Sequence, residues 1–179
     1  GTGVVITTAT LGGFDEVSAM VRAGRLHTLP SGLFAKCPNI KQMDYVFGAT
    51  ALKSLPEDLF AASANVTKLT GAFSACVLLE SIPEKLMLGA TTVTDIKYMF
   101  AGCSSITSIP SGIFVNNSTV TNLEYIFYRT GVTKLQSGIF EGLTGVKTIG
   151  AVFQDCEKLT TLEENAFRGL TAAKSFKYC

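Results

Sequence analysis

The sequence contains one histidine, His27, so a serine or cysteine nucleophile that relied on imidazole would have this residue alone as its base. In the internal repeat set out below, the place of His27 is taken by Lys53, Glu80, Thr107, Thr133 and Thr160. Those residues share no proton-transfer chemistry, and the position reads as solvated surface rather than as a base. The cysteines Cys37, Cys76, Cys103, Cys156 and Cys179 form no C-x-x-C pair and no cluster with histidine, which leaves zinc without a ligand set. The 14 carboxylates could supply a glycosidase-like pair, yet nearly all stand at positions that vary between repeats. No phosphate loop, dinucleotide fingerprint, H-E-x-x-H pair or EF-hand loop is present. The residues therefore predict a chain with no catalytic site, no metal and no cofactor. Asn65, Asn116 and Asn117 match the glycosylation sequon, but in loops where Asn, Ser and Thr are expected anyway.

Composition narrows the partners. Charged residues make up 16% of the chain and the formal net charge is +1, so there is no basic footprint for nucleic acid. The hydrophobic fraction is 47%, yet no apolar run approaches the roughly 18 residues that a spanning helix requires. At 179 residues one domain with a substantial core is expected. No basic n-region followed by an apolar h-region opens the sequence, so any export signal is expected to have been removed or never to have existed.

What positions the residues is a tandem repeat. The string L-x-x-[LI]-P-x-x-[LI]-F recurs from Leu26, Leu52, Leu79 and Ile106, and copies without the proline start at Val132 and Leu159; the intervals are 26, 27, 27, 26 and 27 residues. A second string, such as Val93, Ile96, Phe100 and Cys103, follows about fourteen residues into each unit. Its apolar spacing of i, i+3, i+7 and i+10 falls in one stripe of a 3.6-residue helix and predicts a short helix. Asn39, Asn65, Thr92, Thr119 and Gly145 precede the stripe as expected N-caps. The first string is too short for a helix and predicts a strand closed by Pro30, Pro56, Pro83 or Pro110, followed by a single turn. The expected fold is thus an α/β repeat, a leucine-rich-repeat solenoid with short parallel strands on one face and short helices on the other. Residues 1–25 read as a degenerate N-terminal capping repeat and residues 26–179 as six tandem repeats of one solenoid.

Register then assigns the aromatic side chains. Phe34, Phe60, Phe114, Phe140 and Phe167 share one position, with Met87 in the vacant place; Phe47, Phe73, Phe100, Phe127 and Phe153 share another, and both sets predict internal ladders. Tyr45, Tyr98, Tyr125 and Tyr178 share a third register, turned away from the stripe toward a convex surface. They could anchor a partner or lie across the adjacent repeat. Cys76, Cys103 and Cys156 alternate with Thr50 and Thr130, the interchange expected of small buried groups that bond backbone. Free thiols are expected for all five cysteines.

The stretch TVTDIKYMFAGCSSITSIPSGIF, residues 92–114, resembles the BspA-like leucine-rich repeats of bacterial surface proteins, and the likeness extends from about Phe14 to the end of the chain. Departures are the loss of the strand-end proline at Gln136 and Glu163 and of the cysteine at Thr50 and Thr130. The resemblance implies a secreted or surface-attached bacterial protein, located outside the cell, that contacts host or neighbouring-cell macromolecules. With it, the expected function is a binding module for a protein or glycan partner. The strand-face positions His27, Lys53, Glu80, Thr107, Thr133 and Thr160 are the first candidate contacts, and the convex Tyr45, Tyr98 and Tyr125 the alternative. A passive spacer within a larger surface protein is the competing reading.

Overall fold

The structure is a computed structural model and describes residues 26–179. The expected capping repeat, residues 1–25, lies outside the described residues. Within them the first string of each unit runs beside its counterpart in the next. Lys53 N donates to His27 O at 3.4 Å, Glu80 N to Lys53 O at 3.1 Å, Thr133 N to Thr107 O at 3.2 Å and Thr160 N to Thr133 O at 3.0 Å. Where the pairing is most regular it forms strands: β1 (Lys134–Leu135) pairs in parallel with β3 (Thr161–Leu162), Lys134 facing Thr161. After the strand the chain turns as the proline predicts, with Leu59 N bonded to Pro56 O and Leu86 N to Pro83 O, both at 3.2 Å.

The second string departs from the expectation. None of the described residues is helical. The string instead forms a second parallel column, with bridges Gln42 to Lys68, Lys68 to Asp95, Asp95 to Asn122 and Asn122 to Thr148, continued by β2 (Thr148–Gly150) against β4 (Ser175–Lys177). The reason lies in where the amides go. Ile96, Tyr98, Phe100 and Gly102 donate to Asn122, Glu124, Ile126 and Tyr128 of the next repeat, at 3.3, 3.0, 3.0 and 2.7 Å. The intervening Met99, Ala101 and Cys103 turn back three residues, to Ile96, Tyr98 and Phe100. A helix would bond every amide within its own segment, whereas here every second one is spent on the neighbour. Such a chain of turns needs left-handed residues at intervals of four, and Tyr98 (φ 58°) and Gly102 (φ 76°) supply them, as Gly71 (φ 59°) and Ala75 (φ 60°) do one repeat earlier. Glycine tolerates that region without strain; the L residues are held there by bonds on both sides. The expected N-caps change role accordingly. Thr119 Oγ1 donates to Val93 O at 2.7 Å and Asn65 Nδ2 to Pro38 O at 2.8 Å, each bonding the preceding repeat's carbonyls.

The apolar spacing read as helical still marks the buried side, because consecutive turns return the chain to the core at similar intervals. Val93, Ile96, Phe100 and Cys103 are fully buried. Phe47, Phe73, Phe100, Phe127 and Phe153 stack at centroid distances of 5.9, 5.5, 5.9 and 5.6 Å, tilted by 16° or less. The other set pairs Phe34 with Phe60 at 6.2 Å and Phe140 with Phe167 at 5.8 Å, and buried Met87 fills the gap in its column. Offset stacking adds to the area that each ring removes from water.

The 26- and 27-residue intervals have one structural origin. Where the link after the second string carries cysteine it runs Cys76-Val77-Leu78-Leu79, Cys103-Ser104-Ser105-Ile106 or Cys156-Glu157-Lys158-Leu159; where it carries threonine it is one residue shorter, Thr50-Ala51-Leu52 or Thr130-Gly131-Val132. Among the described repeats the missing residue is thus lost at the same link.

Truncating the middle ring tests the column. Phe100→Ala removes a fully buried ring held between Phe73 and Phe127, and the expected loss is about 3–5 kcal/mol in denaturant unfolding; a midpoint equal to wild type would show that the rings are not packed this way.

Candidate functional site

The first column brings the strand-face candidates together. His27, Lys53, Glu80, Thr107, Thr133 and Thr160 are all exposed, and the backbone bonds just described join them as two runs, His27–Lys53–Glu80 and Thr107–Thr133–Thr160. Each unit carries a second exposed residue beside the first, Thr28, Ser54, Ser81, Ser108, Lys134 and Thr161, so the face is two residues wide. In the middle repeats its borders are buried leucine, isoleucine or valine, such as Leu52 with Leu55 and Ile106 with Ile109. This second row was not singled out from the sequence, although its signal is plain in the L-x-x-[LI] string. Lys134 Nζ pairs with Glu163 Oε1 at 2.6 Å, which holds the Glu163 carboxyl below the usual carboxylate range. Hydroxyl groups, one ion pair and balanced isolated charges define the surface. It offers hydrogen-bond donors and acceptors rather than a field.

The tyrosine register is occupied differently. Tyr98 and Tyr125 stack on each other at 4.8 Å, Tyr125 meets Tyr128 edge-on at 5.7 Å, and Lys97 lies 5.2 Å from the Tyr98 ring centre while its Nζ bonds Glu124 at 2.7 Å. Tyr45, 40% exposed, lies over Gly71, where an added Cβ would collide with the ring. These rings cover the adjacent repeat, which occupies one face of each.

Cysteine and threonine form the third column. Thr50 Oγ1 and Cys76 Sγ both donate to Phe47 O, at 2.8 and 3.1 Å; Cys103 Sγ donates to Phe73 O at 3.2 Å, and Thr130 Oγ1 and Cys156 Sγ to Phe127 O at 2.9 and 3.0 Å. Each group ties a link to the ring column through a phenylalanine carbonyl, and those of Phe73 and Phe127 also accept the turn amides of Cys76 and Thr130. Burial pushes the thiols of Cys76 and Cys103 upward, the second much further, because a thiolate there would be stripped of water. Cys76, Cys103, Cys156 and Cys179 are free thiols, and only the last is exposed.

Of the sequon asparagines, Asn65 and Asn116 are exposed and Asn117 is fully buried. Asn117 Nδ2 donates to Ala90 O at 2.9 Å and Met87 O at 3.3 Å, bracing the preceding repeat, while its Oδ1 has no partner. Sequence reading missed this structural role; the available signal was an asparagine at the register of Cys37, Ser63 and Ala90. No group of three or more His, Cys, Asp or Glu side chains among the described residues is placed to hold a metal ion. No helix of the described residues is long and apolar enough to cross a membrane.

Comparison with known proteins places this geometry. The model of the BspA type leucine rich repeat region matches residues 14–173 in 6 copies. The Drosophila Toll chain, solved in complex with Spatzle, superposes with a TM-score of 0.63 at 19% identity over 90% of this chain and 22% of its own length. TLR13, solved with ssRNA13, gives 0.50 at 19% identity over 86% of this chain and 23% of its own. A leucine-rich repeat protein from Bacteroides ovatus gives 0.35 at 19% identity, over 84% and 47%. The chain thus spans under a quarter of the Toll and TLR13 chains. No curated protein sequence matches it.

The thiol column yields a measurable consequence. Cys179 should react promptly with a thiol reagent, and Cys76, Cys103 and Cys156 at least about a hundredfold more slowly, as expected when labelling waits on local opening. Because Cys76 and Cys103 stay protonated in the fold but ionise in the unfolded chain, stability should fall as pH rises through the ordinary thiol range near 9.0. Prompt native-state labelling of all four would show that the column is open.

Proposed function

Because the chain belongs to the BspA-type leucine-rich repeat family, we propose that it is a non-catalytic module that binds an extracellular protein or glycan through the ladder of His27, Lys53, Glu80, Thr107, Thr133 and Thr160. In this reading residues 26–179 act as one solenoid of six repeats behind a degenerate cap at residues 1–25, in a secreted or surface-attached bacterial protein. The observation that supports it is the exposure of all six candidates at the same position of their repeats, with backbone bonds joining His27–Lys53–Glu80 and Thr107–Thr133–Thr160. The distant fold relatives include one solved with a protein ligand and one solved with RNA. A polyanion needs a basic stripe, and this face, whose lysines Lys53 and Lys134 stand beside Glu80, His27 and hydroxyl side chains, favours a neutral or mixed-charge partner. The competing convex surface has its tyrosine rings partly consumed in contacts between repeats.

A broad extracellular face of this kind gathers its energy from a few central contacts. Lys53→Ala, Glu80→Ala and Thr107→Ala together should weaken binding of a partner found by screening matrix proteins and glycans by at least about tenfold, with unfolding unchanged. Tyr98→Ala with Tyr125→Ala serves as the comparison. Loss of binding in the tyrosine pair but not in the strand-face triple would move the site to the convex side, and a screen that returns no partner would favour the spacer reading.

A further inference from the structure

The link that loses a residue leaves a notch. Between the longer links at Ser104-Ser105 and Glu157-Lys158 runs the short Thr130-Gly131-Val132, and a cleft of about 330 Å³ lies against it, lined by Ser104, Arg129, Gly131, Asp155, Glu157 and Lys158. Gly131 forms a buried floor without room for a side chain, since a Cβ there would collide with Ser104 O. The wall is distinctive. Arg129 (φ 54°) and Asp155 (φ 58°) occupy a left-handed column that elsewhere holds Ala49, Ala75 and Gly102. Among the described residues, charged side chains replace the small ones of that column at Arg129 and Asp155, both lining this notch.

Those side chains are held in place. Arg129 Nε donates to Asp155 Oδ2 at 3.1 Å, and its guanidinium lies 4.8 Å from the Tyr128 ring centre. With Nε engaged, the terminal guanidinium N–H groups and the carboxylate are presented side by side as a fixed donor and acceptor. Glu157 and Lys158, exposed, add a second carboxylate and cation to the lining. The lining charges cancel, so a ligand of either sign would gain from two groups and lose to the other two. Vicinal hydroxyls, each donor and acceptor at once, match all four.

We propose that this notch binds a neutral hexose unit of a glycan, at a site separate from the strand face. The test uses the full chain, isotope-labelled, titrated with uncharged methyl hexopyranosides. Amide resonances of Arg129, Gly131, Asp155 and Lys158 should shift and saturate, with dissociation constants of about 1–10 mM for a single shallow subsite. Inserting a serine between Thr130 and Gly131 restores the longer link and fills the cleft; it should abolish these shifts. Arg129→Ala, which leaves the link untouched, should weaken them by about tenfold or more, and the strand-face triple should leave them unchanged. Absence of any shift, binding confined to uronates or amino sugars, or binding retained in both the insertion and Arg129→Ala would each overturn the assignment.

Discussion

A buried amide must find an acceptor, and in this chain every second amide of the long string between Asp95 and Cys103 finds it in the following repeat. That allocation shapes the rest. It forbids a helix, forces a left-handed residue every fourth position, and brings neighbouring backbones close enough for the phenylalanine rings to meet at 5.5–5.9 Å. Side chains that would cap a helix instead satisfy carbonyls of the repeat before. Stability is therefore a property of the contact between repeats, as expected for a quasi-one-dimensional architecture.

The sequence is most legible where one residue type recurs at fixed register. The two phenylalanine columns, the strand string with its proline turn, and the exchange of cysteine for threonine follow from alignment of the copies, because stacking places equivalent residues in contact. The helix was misread for a physical reason: apolar residues at i, i+3, i+7 and i+10 mark any segment that returns to the core about every third or fourth residue, and successive turns do so as well as a helix. The distinguishing signal was Gly71, Ala75 and Gly102, small residues at the left-handed registers that a helix does not require. Exposure of His27, Lys53, Glu80, Thr107, Thr133 and Thr160 was readable from their place inside L-x-x-[LI]. The notch was not, since it depends on which side chains flank a shortened link in three dimensions.

Two kinds of surface emerge from one repeat. The strand face is nearly neutral, and its first row changes from His27 through Lys53 and Glu80 to three threonines along the stack. The links form a ridge whose height changes with a single residue, and there the chain can hold local, specific chemistry such as the Arg129–Asp155 pair without disturbing the columns beneath.

The inter-repeat bonds can be observed directly. Scalar couplings across hydrogen bonds in the labelled protein report which carbonyl each amide meets. The account predicts a coupling between the amide nitrogen of Phe100 and the carbonyl carbon of Ile126, whose oxygen accepts that amide at 3.0 Å across the repeat boundary. A coupling from Phe100 to the carbonyl of Ile96, the signature of a helix within the repeat, would contradict it.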